Sequence, residues 1–556
     1  MTSGKRAFED AILAPIGSVA ERLGIDPRDL IPYGDEIAKV RIDALQRPRT
    51  REGAGRLVLV SATTPTRAGE GKTTTSIGLG QAFSRLEKSV CVALREPSLG
   101  PCLGIKGGAT GGGKARIEPA DRINLHFTGD FHAITAANNL VSAAIDNHIY
   151  GGHDLGIDPR MVAWRRVMDM NDRSLRHIVL GLGGRYQGIP REGGFDITAA
   201  SEIMAILCLA NDLDDLRQRL DRILIGTSYA GEAIYLRSLD ITDALLALLR
   251  DAVHPNLVQT VEGTPVLMHG GPFANIAHGC NSVFATRMAL HLADWAITEA
   301  GFGFDLGAEK FFGIKCRSAG LVPDVVVLVT TVRARKMHGG KPENSLTEPD
   351  PNAVQRGLEN LDKHIENVLQ FNKRPVVTLN RFTSDTDEEI GRVRERAERH
   401  GVRFAASRHF TEGVAGSVEL ACQVMAAAEN RPDWTPLYDL DIPVVDKVRA
   451  VSRKMYGAGD VAFTKDAEKD LRRVTELGLD NLPVCIAKAP SSLSDDPDLH
   501  GRPRDFQVTV RNIQINSGAG FLVVLTGEIM RMPGLPKRPL AERIRFNPDG
   551  TISGLS

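Results

Sequence analysis

The sequence predicts an α/β protein, with a P-loop NTPase-like, mainly parallel, doubly wound sheet in a large N-terminal domain and two smaller α/β or α+β domains behind it. Three observations carry this. Short apolar, β-rich runs recur at 57–60, 90–94, 178–181, 223–226, 325–332 and 376–379. Helical segments lie between several of them, and strand–helix alternation kept up over roughly 300 residues argues for a parallel sheet. A glycine turn, Gly69-Glu70-Gly71-Lys72-Thr73, joins the first run to a segment with Ile77, Leu79, Ala82 and Phe83 at helical spacing, which is the context of a phosphate loop. Proline- and aspartate-rich breaks at 343–351 and 428–443 divide the rest of the chain, giving domains 1–360, 361–440 and 441–556.

Composition bounds the function. The 68 basic and 69 acidic residues leave a formal net charge of -1, so no whole-chain field favours nucleic acid or an anionic membrane. A hydrophobic content of 42% with 25% charged residues suits a soluble protein with a sizeable core. No run approaches the ~18 apolar residues of a membrane span. The first residues carry Glu9 and Asp10 without a continuous apolar stretch, unlike an export signal. Seven scattered cysteines with no C-x-x-C read as reduced thiols, which points to the cytoplasm.

In chain order, residues 7–24 place Ile12, Ile16, Val19, Ala20 and Leu23 on one face of a docking helix. In the phosphate loop, Thr66, Arg67, Ala68, Gly69, Glu70, Gly71, Lys72 and Thr73 would wrap the nucleotide, with backbone N–H groups and the helix start favouring the anion. Lys72 would reach the β- and γ-phosphates, and the Thr73 hydroxyl would hold magnesium. Thr66 stands where G-x-x-x-x-G-K-[ST] has its first glycine. The strand at 90–94 ends in Arg95-Glu96, and ligands of open α/β sheets collect at carboxyl ends. Gly104–Lys114 holds six glycines and suits either a flexible surface loop or a substrate-facing flap. Residues 123–130 alternate like a strand that delivers Asp130 at its end. Residues 199–210 read as a buried helix, and 385–400 as a charged, solvated helix opened by the capping box Thr386-x-x-Glu389. The last domain carries an exposed loop at 491–504, a strand at 520–525 and a proline-broken segment at 530–537.

A phosphate loop alone leaves kinases, GTPases, partition ATPases, nitrogenase-type reductases and ATP-driven ligases open. No N-K-x-D follows Asn380-Arg381-Phe382, and Arg67 stands where a partition ATPase usually has lysine. Longer strings are more specific. They include Leu94–Pro101 (LREPSLGP), Ile123–Ile134 (INLHFTGDFHAI), Gly194–Thr198 (GFDIT), His269–Ser282 (HGGPFANIAHGCNS), Glu299–Arg317 (EAGFGFDLGAEKFFGIKCR) and Met532–Lys537 (MPGLPK). With these in order along nearly its whole length, the chain resembles formate–tetrahydrofolate ligase, also called 10-formyltetrahydrofolate synthetase.

The resemblance implies Mg-ATP and formate giving formyl phosphate and ADP, then transfer of the formyl group to an aryl-amine nitrogen of tetrahydrofolate. It implies Lys72, Arg95, Glu96 and Asp130 as catalytic residues, Arg95 gripping formate and then formyl phosphate. Phe302, Phe382 and Phe410 fall at folate-binding positions, in residues 1–360 and 361–440. A response to a monovalent cation, with carboxylates near the site as its ligands, a homotetramer and a cytoplasmic location are implied as well. Departures gather on the folate side. Phe410 replaces the usual tryptophan, Thr383 and Arg67 replace prolines, Phe304 replaces a small residue, and Lys114 stands where an aromatic is usual. Two other readings compete: the same formate activation with another amine acceptor, and a nucleotide-switched assembly ATPase.

Overall fold

The structure is a computed structural model and describes residues 13–49, 51–104, 108–152, 154–527 and 529–555. It is an α/β protein built on one large mixed sheet. In chain order the main strands are β1 (Leu30–Pro32), β2 (Ala38–Val40), β3 (Arg56–Ala62), β4 (Val90–Leu94) and β5 (Asn256–Thr260). They continue with β6 (Pro265–Met268), β7 (Trp295–Glu299), β8 (Val325–Thr330), β9 (Pro375–Asn380) and β10 (Arg403–Ser407). Across the sheet they run β1-β2-β5-β6-β4-β7-β3-β8-β9-β10. Every ladder from β6 to β10 is parallel. The edge formed by β1, β2, β5 and β6 is antiparallel, which the expectation of a mainly parallel sheet did not contain. Its cause is local: β5 and β6 are joined by a turn at 261–264 with Gly263 at φ +80, and so short a connection can only make a hairpin.

Strand alternation sorts the core into two layers. Leu57 and Leu59 of β3 point to one face, which packs on the helices Val283–Leu292 and Pro351–Gln370. Val58 and Val60 point to the other, where Ile77, Leu79 and Phe83 of helix Lys72–Arg85 meet Leu420 and Val424 of helix Val418–Ala427. Each fully buried Leu, Val or Phe of this kind contributes about 1.5–3 kcal/mol. The boundary expected at 360 falls inside helix Pro351–Gln370, and β9 and β10 extend the sheet begun before it. A smaller sheet of Val484–Ala487, Asn512–Asn516 and Phe521–Leu525 lies near the C-terminus. Its alternate residues enter two cores, Val484 and Leu522 in one, Cys485 and Phe521 in the other.

Several expectations are met locally and others are corrected. The run at 199–210 contains helix Glu202–Leu209, buried along its whole length. Thr386 and Glu389 close the capping box of helix Asp387–Arg399. Glu389 itself is buried and ion-paired with Lys336 at 2.8 Å, so that helix is not solvated all round. The docking helix is present as Ile16–Arg22, with Ile16, Val19 and Ala20 buried; residues 7–12 of that reading lie outside the described residues. The runs at 178–181 and 223–226 do form strands, Ile178–Leu180 and Leu224–Thr227, but outside the main sheet. They pair with Arg191–Gly193 and Ala233–Tyr235 in separate ribbons. The strand expected at 123–130 is absent. Helix Ala120–Asn124 ends there, a bend follows, and Asp130 opens the long helix Asp130–Gly151. Ile123 and Phe127 are buried, and their four-residue spacing served a helix end as well as an alternating strand. The loop at 491–504 is exposed only in part, since Ser492, Leu493 and Ser494 are buried. Among the described residues no helix is long and apolar enough to cross a membrane.

Candidate active site

Because β6, β4, β7, β3, β8, β9 and β10 run parallel, their carboxyl ends lie along one edge of the sheet. The glycine loop at 66–71 follows β3, Arg95-Glu96 follow β4, Glu299 ends β7, Thr331 follows β8 and Asn380 ends β9. Gly71 takes φ +78 immediately before helix Lys72–Arg85, and a Cβ there would strike the Asn380 side chain. Glycine is therefore required for both reasons. Glu70 is buried and folds the loop from within: its carboxylate accepts from the Thr66 N–H at 2.8 Å and the Thr331 hydroxyl at 2.6 Å. The Glu70 carbonyl accepts from Asn380 Nδ2 at 3.1 Å. Ala68 and Gly69 are exposed, and Arg67, its side chain 88% exposed, reaches only Glu343 at 3.4 Å.

Behind the loop, a buried polar layer holds Thr63 and Thr64. Arg335 donates to the Thr63 hydroxyl at 2.8 Å, and the Thr64 N–H donates to His364 Nε2 at 2.9 Å. His338 Nε2 donates to the Thr64 carbonyl at 3.0 Å, while its Nδ1 accepts from the Gly501 N–H at 3.1 Å. Burial pushes both imidazoles below the ordinary histidine value, His364 to about 3, so each is neutral with its tautomer set by these partners.

Lys72 and Thr73 open the helix, and one carboxylate ties Thr73 to the neighbouring strand end. Thr73 Oγ1 donates to Glu299 Oε2 at 2.9 Å, and Arg95 Nη2 lies 3.7 Å from Glu299 Oε1. Burial lowers the Lys72 ammonium from its ordinary value; Glu299 pulls it back up, Arg95 adds to the lowering and Glu70 opposes it. Arg95 is a quarter exposed, and its Nε finds no hydrogen-bond partner among the described residues. A hydroxyl beside a carboxylate is an oxygen set that fits magnesium. Among the described residues no group of three or more His, Cys, Asp or Glu could hold a metal, so such an ion would depend on phosphate oxygens for the rest of its shell.

Glu96 and Asp130 meet in a second, buried cluster. Lys39 Nζ lies 2.7 and 2.9 Å from the Asp130 oxygens and 3.0 Å from the His254 carbonyl. Asn256 Nδ2 donates to Glu96 Oε1 at 2.6 Å and to Asp130 Oδ2 at 2.9 Å. Lys39 and Asn256 stand opposite each other in the β2–β5 ladder, which aims both at the same carboxylates. Burial, then the facing Asp130, pushes the Glu96 carboxyl well above its ordinary value. Burial would raise Asp130 too, but Lys39 and the hydrogen bond from Glu96 outweigh it and leave Asp130 low. Asp130 also begins a helix, where a negative charge is favoured. The two carboxyls are thus pushed apart, Glu96 up and Asp130 down, with Lys39 paired to the lower one.

The three phenylalanines sit at the same edge. Phe302 takes φ +55 in the turn after β7. A Cβ on its neighbour Gly301 would lie 3.3 Å from Arg95 Nη1, so this turn passes close to Arg95. Phe382 follows β9, half-buried under the Arg333 guanidinium at 4.1 Å from its ring centre. Phe410 follows the adjacent β10 and is 54% exposed. The glycine-rich stretch packs on it: Gly111–Gly112 pairs with Ala115–Glu118, the Lys114 N–H donates to the Phe410 carbonyl at 3.0 Å, and a Cβ on Gly112 would lie 3.1 Å from the ring. Residues 105–107 of that stretch lie outside the described residues.

The structure thus joins Thr73 and Arg95 through Glu299, sets Lys72 beside Thr73 at the helix start, joins Glu96 to Asp130 through Asn256, and leaves Arg67 apart. Sequence reasoning missed Glu299, Lys39 and Asn256. Lys39 did leave a signal, as a lone charge between Ala38 and Val40 in an otherwise apolar strand. A family model described as formate–tetrahydrofolate ligase matches residues 6–556.

Proposed function

The chain belongs to the formate–tetrahydrofolate ligase family, ATP-dependent carbon–nitrogen ligases, and on that basis we propose how this site performs the reaction. A formate oxygen attacks the γ-phosphorus, the bond to the β–γ bridging oxygen breaks, and ADP leaves formyl phosphate behind. An aryl-amine nitrogen of tetrahydrofolate then attacks the formyl carbon, the carbon–oxygen bond to phosphate breaks, and the nitrogen sheds its proton. The first step is phosphoryl transfer, for which positioning and charge neutralisation are the main demands. Lys72 supplies a positive charge at the loop, and Arg95, with an unpartnered Nε, offers the two-pronged donor set that a carboxylate or phosphate needs. Magnesium, held in part by Thr73, neutralises phosphate charge when bound. Glu96, with Asp130, Asn256 and Lys39, forms a buried polar frame under the Arg95 strand end.

The observation that carries this reading is the Thr73–Glu299–Arg95 connection, which sets the formate-gripping arginine directly beside the phosphate loop. Seven parallel strands with helices on both faces support a doubly wound, P-loop NTPase-like arrangement. Phe382 and Phe410, at adjacent strand ends, would stack the pterin; Arg333 lies over one face of Phe382. A homotetramer and a cytoplasmic location belong to the same proposal. For the implied monovalent cation, Asp130 does not fit as a ligand, because the Lys39 ammonium already holds both of its oxygens. The test is ADP release from Mg-ATP with formate, tetrahydrofolate, both or neither. Turnover requiring both is expected. Turnover with formate alone would redirect the search to another amine acceptor, and turnover indifferent to formate would overturn the reading.

A further inference from the structure

The strand order gives one buried carboxylate a position between the two half-sites. β7 lies between β3, which leads into the phosphate loop, and β4, which leads into Arg95, and Glu299 is its last residue. Its side chain is 6% exposed. One oxygen accepts the Thr73 hydroxyl proton at 2.9 Å, and the other lies 3.7 Å from Arg95 Nη2. We propose that Glu299 is a positioning residue that orients the Thr73 hydroxyl toward magnesium and couples occupancy of the Mg-ATP half-site to the grip of Arg95 on formate. This rests on the reading of Lys72-Thr73 as the Mg-ATP site.

The first half follows from hydroxyl chemistry. A threonine hydroxyl has one proton and two lone pairs. With the proton committed to Glu299, the lone pairs face away from that carboxylate and are available to a cation, as partners behind metal ligands commonly arrange. The second half follows from shared charge. Glu299 lies within ion-pair distance of Arg95. With magnesium held at Thr73, Glu299 would share its charge between that ion and the guanidinium, and its hold on Arg95 would loosen for an incoming carboxylate. Coupling between two such sites amounts to roughly 5–150-fold in affinity and is reciprocal.

The experiment measures binding to the full chain by calorimetry. A non-hydrolysable ATP analogue is titrated with and without magnesium, and formate is titrated with and without the magnesium–analogue complex. In the unsubstituted chain, magnesium tightens analogue binding and the complex tightens formate binding. Glu299→Gln is expected to lose about tenfold of the magnesium-dependent gain, taken relative to its own metal-free affinity, and to abolish the formate coupling. The double variant Thr73→Val with Glu299→Gln is expected to lose no more of the magnesium gain than Thr73→Val alone. Glu299→Asp keeps the charge but is one methylene too short to serve both partners. It should retain part of the magnesium gain without the formate coupling, and it supplies the comparison if Glu299→Gln does not fold. Full magnesium gain and full coupling in both Glu299 variants would overturn the proposal alone. Absence of magnesium-dependent binding in the unsubstituted chain would overturn the ATP-site reading, and this proposal with it.

Discussion

Arg95 and Phe410 are the residues whose chemistry is most open to direct test. Arg95→Lys keeps the positive charge and loses the planar fork. Loss of one well-placed donor at a reacting group costs on the order of 10²–10³ in rate, so kcat/KM for formate should fall by about that much. Steady-state kinetics with formate varied should show it, with KM for ATP little changed. Phe410 is more than half exposed beside the glycine hairpin, ready to cover one face of a flat ring. Aromatic stacking contributes about 0.5–1.5 kcal/mol beyond area burial. Phe410→Trp should therefore lower KM for tetrahydrofolate by roughly 2–10-fold and Phe410→Ala raise it by a similar factor, both read with folate varied at saturating Mg-ATP and formate. Phe382 was identified by the family resemblance. The Arg333 cover was not, because that residue comes from a helix start some fifty positions earlier in the chain.

Between elements, close approach and buried charge decide the geometry. Helix Glu202–Leu209 begins at a carboxylate that accepts the N–H groups of Gly518 at 2.8 Å and Ala519 at 3.1 Å, tying this helix to the C-terminal sheet. Burial pushes the Glu202 carboxyl from 4.5 up to about 7, those two hydrogen bonds opposing it. The sign follows from proton binding. Between pH 4.5 and 7 the unfolded chain releases this proton while the folded chain keeps it, so stability falls as pH rises through that window and levels off above it. The effect is about 3 kcal/mol at full extent. Glu202→Gln keeps an acceptor and removes the titration, so its melting temperature relative to the parent should rise from pH 5 to pH 8; a constant difference would refute this. A second contact is steric. Helix Pro351–Gln370 crosses Val332–His338 so closely that a Cβ on Gly357 would collide with the Arg335 carbonyl. Gly357→Ala should cost about 1–3 kcal/mol, seen as a lower melting temperature. It should also weaken nucleotide binding, since Arg335 holds Thr63.

At the scale of the molecule, the C-terminal segment is bound into the phosphate-loop side through buried polar contacts. Lys488 forms an ion pair with Asp305 at 2.7 Å, both nearly inaccessible, and Asn360 donates to the Gly501 carbonyl at 2.8 Å as well as to the Thr64 hydroxyl at 3.0 Å. Breaking a buried pair from one side leaves a charge uncompensated, at about 3–5 kcal/mol. Asp305→Ala should therefore lower the melting temperature, and adding Lys488→Met should restore most of the loss. No recovery in the double variant would show that Asp305 acts through other contacts.

The order of residues alone was enough for the α/β class, the glycine turn at 69–73, the strand end at Arg95-Glu96, a buried helix within 199–210 and the family, because each rests on local periodicity or a contiguous string. Folding settled what distant segments share. It placed Lys39 and Asn256 opposite each other to hold Glu96 and Asp130, set Glu299 between β3 and β4, and made Asp130 a helix start instead of a strand end. It also packed the glycine hairpin on Phe410. The physical reason is the same throughout. Strand order and burial fix which charges face one another, and neither can be read from the spacing of residues along a chain.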